Sequence, residues 1–169
     1  MDLREKTKAP PIRVQGVNLA YAEMMLGNIG GRNSEMSAVA HYTYNRLVTQ
    51  DSYTEASNLY HKIRIDEMRH LETFGRLALL LGAEPRLWQS AANGAGCGME
   101  YWSPAYVCYC TDDLESILQS SIGEERDAIE KYEAQTAAIG DPYVRDMLRC
   151  VICDEDRHIT MLRELLGRL

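Results

Sequence analysis

The chain has 169 residues, with 18 Lys and Arg against 25 Asp and Glu, a formal net charge of −7 and 46% hydrophobic residues. That suits one globular domain with its own core, and the acidic balance excludes the basic footprint of a nucleic-acid binder. No apolar run approaches the roughly 20 residues that span a bilayer, and no apolar segment follows the charged first residues, so a cytoplasmic protein without membrane contact is expected.

Residues 1–15 are polar, contain Pro10-Pro11 and read as an extended arm outside the core, with residues 16–169 as the domain proper. A long helical stretch is expected from Val17 to Gln50. Gly27, Gly30 and Gly31 weaken its first half by about 1 kcal/mol each relative to Ala, which predicts a bend or bulge there. A second helix is expected from Thr54 to Leu81, with Ala56, Leu59, Tyr60, Ile63, Leu71, Phe74, Leu77 and Ala78 on one apolar face. Gly82 and Pro85 end it.

Residues 83–110 differ in kind: they hold Pro85, Pro104, three glycines, both Trp, and Cys97, Cys108 and Cys110. They read as a long crossover. A third helix is expected from Asp112 to Ile139, capped by Thr111 or Asp112. After the turn at Gly140, Asp141 reads as the N-cap and Pro142 as the first residue of a fourth helix running to Leu166. No β pattern of any length is present. Helices joined short, long, short make an all-α fold, a four-helix bundle of two antiparallel pairs linked by one crossover.

The chemistry lies where two apolar stripes are interrupted. The second helix reads Asp66-Glu67-Met68-Arg69-His70 and the fourth reads Asp154-Glu155-Asp156-Arg157-His158. Each Glu-x-x-His places both side chains on one helix face, the buried one. With 15 Glu and 4 His in the chain, chance predicts ~0.4 such pairs, yet there are two in matching contexts. The first and third helices repeat another pattern: Glu35 and Tyr42, then Glu125 and Tyr132, each pair two turns apart. The chain is a pseudo-duplicated helix pair. Glu124 neighbours Glu125 and is the alternative donor from the third helix, but Glu125 shares the stripe of Ala128, Ile129 and Tyr132. Four carboxylates in an apolar core repel one another unless cations neutralise them. Two imidazoles with bridging-capable carboxylates suit two ions of iron or manganese.

One Glu from each of two helices plus Glu-x-x-His from the other two resembles the ferritin-like di-iron and di-manganese carboxylate proteins, which include rubrerythrins and manganese catalases. Segment 35–44 is similar to the first metal helix of rubrerythrins. The resemblance implies Glu35, Glu67, His70, Glu125, Glu155 and His158 as metal ligands, with Glu67 and Glu155 as bridges. It implies Tyr42 and Tyr132 as the catalytic tyrosines, donating hydrogen bonds to ligand carboxylates. Asp66 and Asp154 would take the outer ring N–H of the histidines in a cross-helix pairing, with Arg69 and Arg157 holding them. The pattern also departs from rubrerythrins. One Cys-x-x-Cys, Cys150 and Cys153, is present where a rubredoxin-type iron site needs two, and Ala128 stands where rubrerythrins carry an additional carboxylate.

The expected function is a di-metal oxidoreductase acting on hydrogen peroxide or dioxygen. Catalase-like disproportionation needs no reductant, whereas peroxidase turnover would call on an external electron donor. The rivals are a ferroxidase or iron-storage protein and a non-catalytic metal-binding bundle. A homodimer is the expected assembly. The five cysteines, odd in number, are not expected to form a disulfide framework. The crossover aromatics are expected to fix that segment to the bundle or a partner, and His41 and His61 to be surface or interface residues.

Overall fold

The computed structural model describes residues 9–90, 99–109 and 113–169. Five α-helices account for the bundle: α1 (Leu19–Gly30), α2 (Glu35–Thr49), α3 (Thr54–Leu80), α4 (Leu114–Ala138) and α5 (Pro142–Leu166). α2 lies against α3, α4 lies against α5, and α1 continues the first bundle position by lying against α3. The fold is an all-α four-helix bundle whose first member is split in two.

That split corrects the expectation of one bent helix from Val17 to Gln50. α1 ends at Gly30, where a Cβ would stand 2.5 Å from the Leu87 carbonyl carbon and the Trp88 nitrogen. The backbone of the crossover passes where any other residue would carry a side chain. Four residues on, Ser34 restarts the helix by accepting a 3.4 Å hydrogen bond from the Ser37 amide. At the far end of α3, Gly82 adopts a φ of 103°, the left-handed conformation that closes a helix. The α4 cap is Asp113, whose carboxylate accepts from Ser116 N at 2.8 Å. The expected caps, Thr111 and Asp112, lie outside the described residues. Asp141 caps α5, accepting from Tyr143 N at 2.9 Å.

The crossover also corrects the expectation of no β structure. Strands β1 (Trp88–Ser90) and β2 (Met99–Tyr101) pair antiparallel, with Trp88 opposite Tyr101. A 3-10 turn, Pro104–Tyr106, follows. Strands of three residues are too short to show an alternating pattern. The indole N–H of Trp102 donates to Ser37 Oγ at 3.0 Å, and Tyr109 meets the Tyr44 ring edge-on at 4.6 Å, so the crossover is fastened to α2. The described part of the N-terminal arm is more than an appendage. Ile12 and Val14 are half-buried against the core, and Gln15 N donates to Asp141 Oδ2 at 2.6 Å.

The core is in two parts. One half gathers Met25, Phe74, Leu77, Leu148 and Val151, and the other gathers Tyr60, Ile63, Leu118, Ile159 and Leu162. Each large apolar side chain buried in them contributes about 1.5–3 kcal/mol. Along α3 the buried stripe runs Ala56, Tyr60, Ile63, Glu67, His70, Phe74, Leu77. Along antiparallel α5 it runs Val144, Leu148, Val151, Glu155, His158, Ile159, Leu162. The two apolar halves therefore sandwich one polar layer at mid-height. Among the described residues, no helix is long and apolar enough to cross a membrane.

Candidate metal centre

Each helix pair delivers its residues to that layer by register alone. α2 supplies Glu35 from its first turn, α3 supplies Glu67 and His70, α4 supplies Glu125, and α5 supplies Glu155 and His158. All six are buried, none more than 4% exposed. They form two overlapping groups whose donor atoms lie within 4.8 Å of one another: Glu35, Glu67, His70 and Glu155, then Glu67, Glu125, Glu155 and His158. Glu67 and Glu155 belong to both.

The geometry is nearly two-fold. His70 directs Nδ1 inward, 3.2 Å from Glu67 Oε2, 3.2 Å from Glu155 Oε1 and 3.7 Å from Glu35 Oε2. His158 directs Nδ1 inward, 2.9 Å from Glu155 Oε2, 3.0 Å from Glu67 Oε1 and 3.3 Å from Glu125 Oε1. The outer nitrogens face aspartates across the bundle: His70 Nε2 lies 3.3 Å from Asp154, and His158 Nε2 lies 3.7 Å from Asp66. An N–H kept at Nε2 leaves the Nδ1 lone pair free to ligate. Arg157 ties both aspartates, at 2.7 Å to Asp154 and 3.5 Å to Asp66, while the more exposed Arg69 grips only Asp66. The tyrosines also cross over. Tyr42 O–H donates to Glu125 Oε1 at 2.5 Å, and Tyr132 O–H donates to Glu35.

The electrostatics show buried carboxylates and imidazoles that share protons among themselves. Burial pushes the Glu67 carboxyl well up, and Glu155 and Glu125 add to the effect. Burial and Glu155 raise Glu125 to about 7, against lowering by His158 and the Tyr42 hydroxyl. Burial opposes the imidazolium of each histidine, yet the facing carboxylates hold His70 and His158 well above the ordinary range. Burial also opposes ionisation of Glu155, but His70 and His158 overcome it and hold that carboxyl low. Protons thus sit where positive charge is needed. Glu67 Oε1, Glu155 Oε2 and both nitrogens of His158 nevertheless lack any hydrogen bond, which is costly for buried polar atoms. Orphaned oxygens and nitrogens on α3 and α5, within a donor set drawn from four helices, fit two divalent ions, and N and O donors suit manganese or iron.

A cavity of about 200 Å³ leads to this layer, lined on its inner side by Glu35, Glu67, Glu125, Glu155, Tyr42 and Tyr132. Its outer side carries Arg32, Glu124, Asp127, Tyr106 and Val107, so the crossover walls the site as well as binding to α2.

Two residues of the cavity wall are placed differently from the sequence expectation. His41, expected at the surface or an interface, is 1% exposed, and Glu124, the alternative donor from the third helix, is half-buried with Oε1 3.3 Å from His41 Nδ1. Burial lowers the His41 pKa to about 4, against a raising contact from the Cys108 backbone, and burial raises Glu124 to about 8 with help from Glu125 and Asp127. The spacing of Ser37, His41 and Asn45 on α2 is the signal that could have found His41: a buried stripe, but a polar one. Cys108 and Cys153 are exposed free thiols and Cys150 is half-buried and free, whereas Cys97 and Cys110 lie outside the described residues.

Comparison with known proteins agrees with the geometry. The chain is 24% identical over 172 positions to a probable manganese catalase of Clostridium acetobutylicum, covering 94% of this chain and 75% of that protein. A manganese catalase from Anabaena superposes with a TM-score of 0.83 at 20% identity, covering 99% of this chain and 80% of that one. A dodecameric thioferritin from Bacteroides fragilis superposes at 0.69 with 16% identity, covering 90% of this chain and 88% of that one. The family model of the ferritin-like domain matches residues 33–169. A match over most of the chain, on a bundle with this buried carboxylate layer, places the protein in the ferritin-like domain family.

Proposed function

We propose that the protein is a di-manganese enzyme that disproportionates hydrogen peroxide, 2 H₂O₂ → 2 H₂O + O₂. One observation carries the reading: two donor groups share Glu67 and Glu155 and open onto a cavity of about 200 Å³. The manganese catalases related at 24% and 20% identity favour manganese over iron.

Glu35, Glu67, His70 and Glu155 would hold one ion, and Glu67, Glu125, Glu155 and His158 the other. Bound there, the pair supplies a reversible two-electron redox couple. The protein does the rest by positioning. Glu67 and Glu155 reach both groups and keep them at one fixed separation. Tyr42 and Tyr132 fix the outer carboxylates, each by a hydroxyl that stays protonated because burial, then the facing Glu, raises its pKa. Asp154, 3.3 Å from His70 Nε2, holds that imidazole in the ligating tautomer, and Asp66 faces His158 Nε2 at 3.7 Å. The cavity admits peroxide, hardly larger than a water of about 30 Å³, while the two apolar core halves keep bulk water from the layer.

The test is oxygen evolution from peroxide by the manganese-loaded chain with no reductant present. Release of one O₂ per two peroxides, abolished by Glu67→Ala and by Glu155→Ala, is expected. A fully loaded protein that consumes peroxide only with a reductant, or consumes Fe(II) and O₂ instead, contradicts the reading and favours peroxidase or ferroxidase activity.

A further inference from the structure

Outside the six-residue layer, one pair of side chains in the cavity wall has ligand geometry. His41 is 1% exposed, lines the cavity, and its Nδ1 has no hydrogen-bond partner. Glu124 Oε1 lies 3.3 Å away. That distance would permit a hydrogen bond, yet the ring and the carboxylate are not aligned for one, so a proton held between them does not account for the arrangement. Two atoms each about 2.1 Å from one cation, at roughly a right angle, stand about 3 Å apart. The pair is spaced as co-ligands.

Its position is as telling as its spacing. Glu124 adjoins Glu125, which belongs to the inner layer, while Asp127 lines the same cavity nearer solvent. A divalent ion travelling inward passes Asp127 and Arg32 on the outer wall, then the His41 and Glu124 pair, then the four buried carboxylates. We propose that His41 Nδ1 and Glu124 form a third, transit site that takes a divalent cation, manganese or iron in the +2 state, from solvent and hands it to the inner layer. This rests on the di-metal reading of that layer. Two protein donors, with water filling the remaining positions, hold an ion weakly against the four donors of each inner group, and weak holding is what handing over requires.

The experiment titrates metal-free full-length protein with Mn(II) and counts free Mn(II) by electron paramagnetic resonance. Gel filtration then shows how many ions stay bound. The wild-type chain is expected to retain two ions through the column and to hold a third that washes off. Glu124→Gln keeps the side-chain shape and removes the charge. It is expected to lose the weak ion, keep the tight pair, and load that pair about tenfold more slowly, because the carboxylate that would give up its proton to take the ion is gone. His41→Gln is the second variant, with the same expectation. A wild-type chain with two tight ions and no weak one overturns the transit site and leaves the di-metal reading standing. So does Glu124→Gln that keeps the third ion or loads at wild-type speed. A wild-type chain that retains no tight ions overturns the di-metal reading, and the transit site falls with it.

Discussion

Replacing Tyr42 by Phe removes one oxygen from the site and little else. The ring is 1% exposed and stacks on Tyr60 with centroids 5.8 Å apart, so Phe keeps the volume and the stack. What is lost is the 2.5 Å hydrogen bond to Glu125 Oε1. Hydrogen bonds to a charged group are worth about 1.5–3 kcal/mol, or roughly ten- to a hundredfold in an equilibrium constant. The loss falls unequally on the two states. Burial and Glu155 already raise Glu125 to about 7, and the Tyr42 hydroxyl is one of the groups opposing that rise. Without it the metal-free protein relieves the carboxylate by protonating it, a route closed to the metal-bound protein because a ligand must be deprotonated. The variant should therefore bind Mn(II) about ten- to a hundredfold more weakly in a chelator competition near neutral pH, and take up metal with more proton release. Tyr21→Phe is the control, since its hydroxyl accepts from Gly140 N at 2.9 Å and serves the arm end of the bundle. A Tyr42→Phe protein within threefold of wild type, or a control as impaired as the variant, refutes the reasoning.

The same proton competition fixes a pH dependence. His70 and His158 are raised above 6.5 and Glu125 to about 7 in the metal-free fold, so protons block the ligands below those values. Apparent Mn(II) affinity should rise steeply between about pH 6 and pH 8, with protons released on binding; a flat calorimetric profile contradicts this. Arg157→Ala releases both aspartates and should weaken metal binding about tenfold in the same competition, whereas Arg69→Ala, at a side chain 60% exposed, should change it little. Gly30→Ala pushes a methyl into the Leu87–Trp88 backbone and should cost about 1–3 kcal/mol in denaturant melts. Gly123→Ala, inside α4 with nothing within 4 Å of the added carbon, should gain about 0.5–1 kcal/mol.

Much of this architecture was legible because it is periodic. Three apolar stripes, two Glu-x-x-His pairs and two Glu–Tyr spacings read directly as a duplicated bundle with an internal polar layer. What escaped was set by contacts between distant segments. Gly27, Gly30 and Gly31 marked a bend, but the full break after Gly30 falls where residues 87 and 88 pass, 57 positions later. The spacing left open which glutamate each tyrosine serves, and seven residues along a helix separate Glu and Tyr by about 10 Å. The bonds therefore run across the bundle, from α2 to α4 and back. His41 escaped because the face that buries it, with Ser37 and Asn45, is hydrophilic. The Asn45 side-chain amide donates to Ser121 Oγ at 3.3 Å, so this stripe is buried by hydrogen bonding rather than by hydrophobicity.

The account stands on two metal ions at two defined places. A crystal structure of the manganese-loaded protein, with diffraction recorded on both sides of the manganese absorption edge, locates them directly. Two anomalous peaks per chain are predicted in the buried layer, one among Glu35, Glu67, His70 and Glu155 and one among Glu67, Glu125, Glu155 and His158. A single peak, or peaks away from Glu67 and Glu155, would contradict the shared-carboxylate centre.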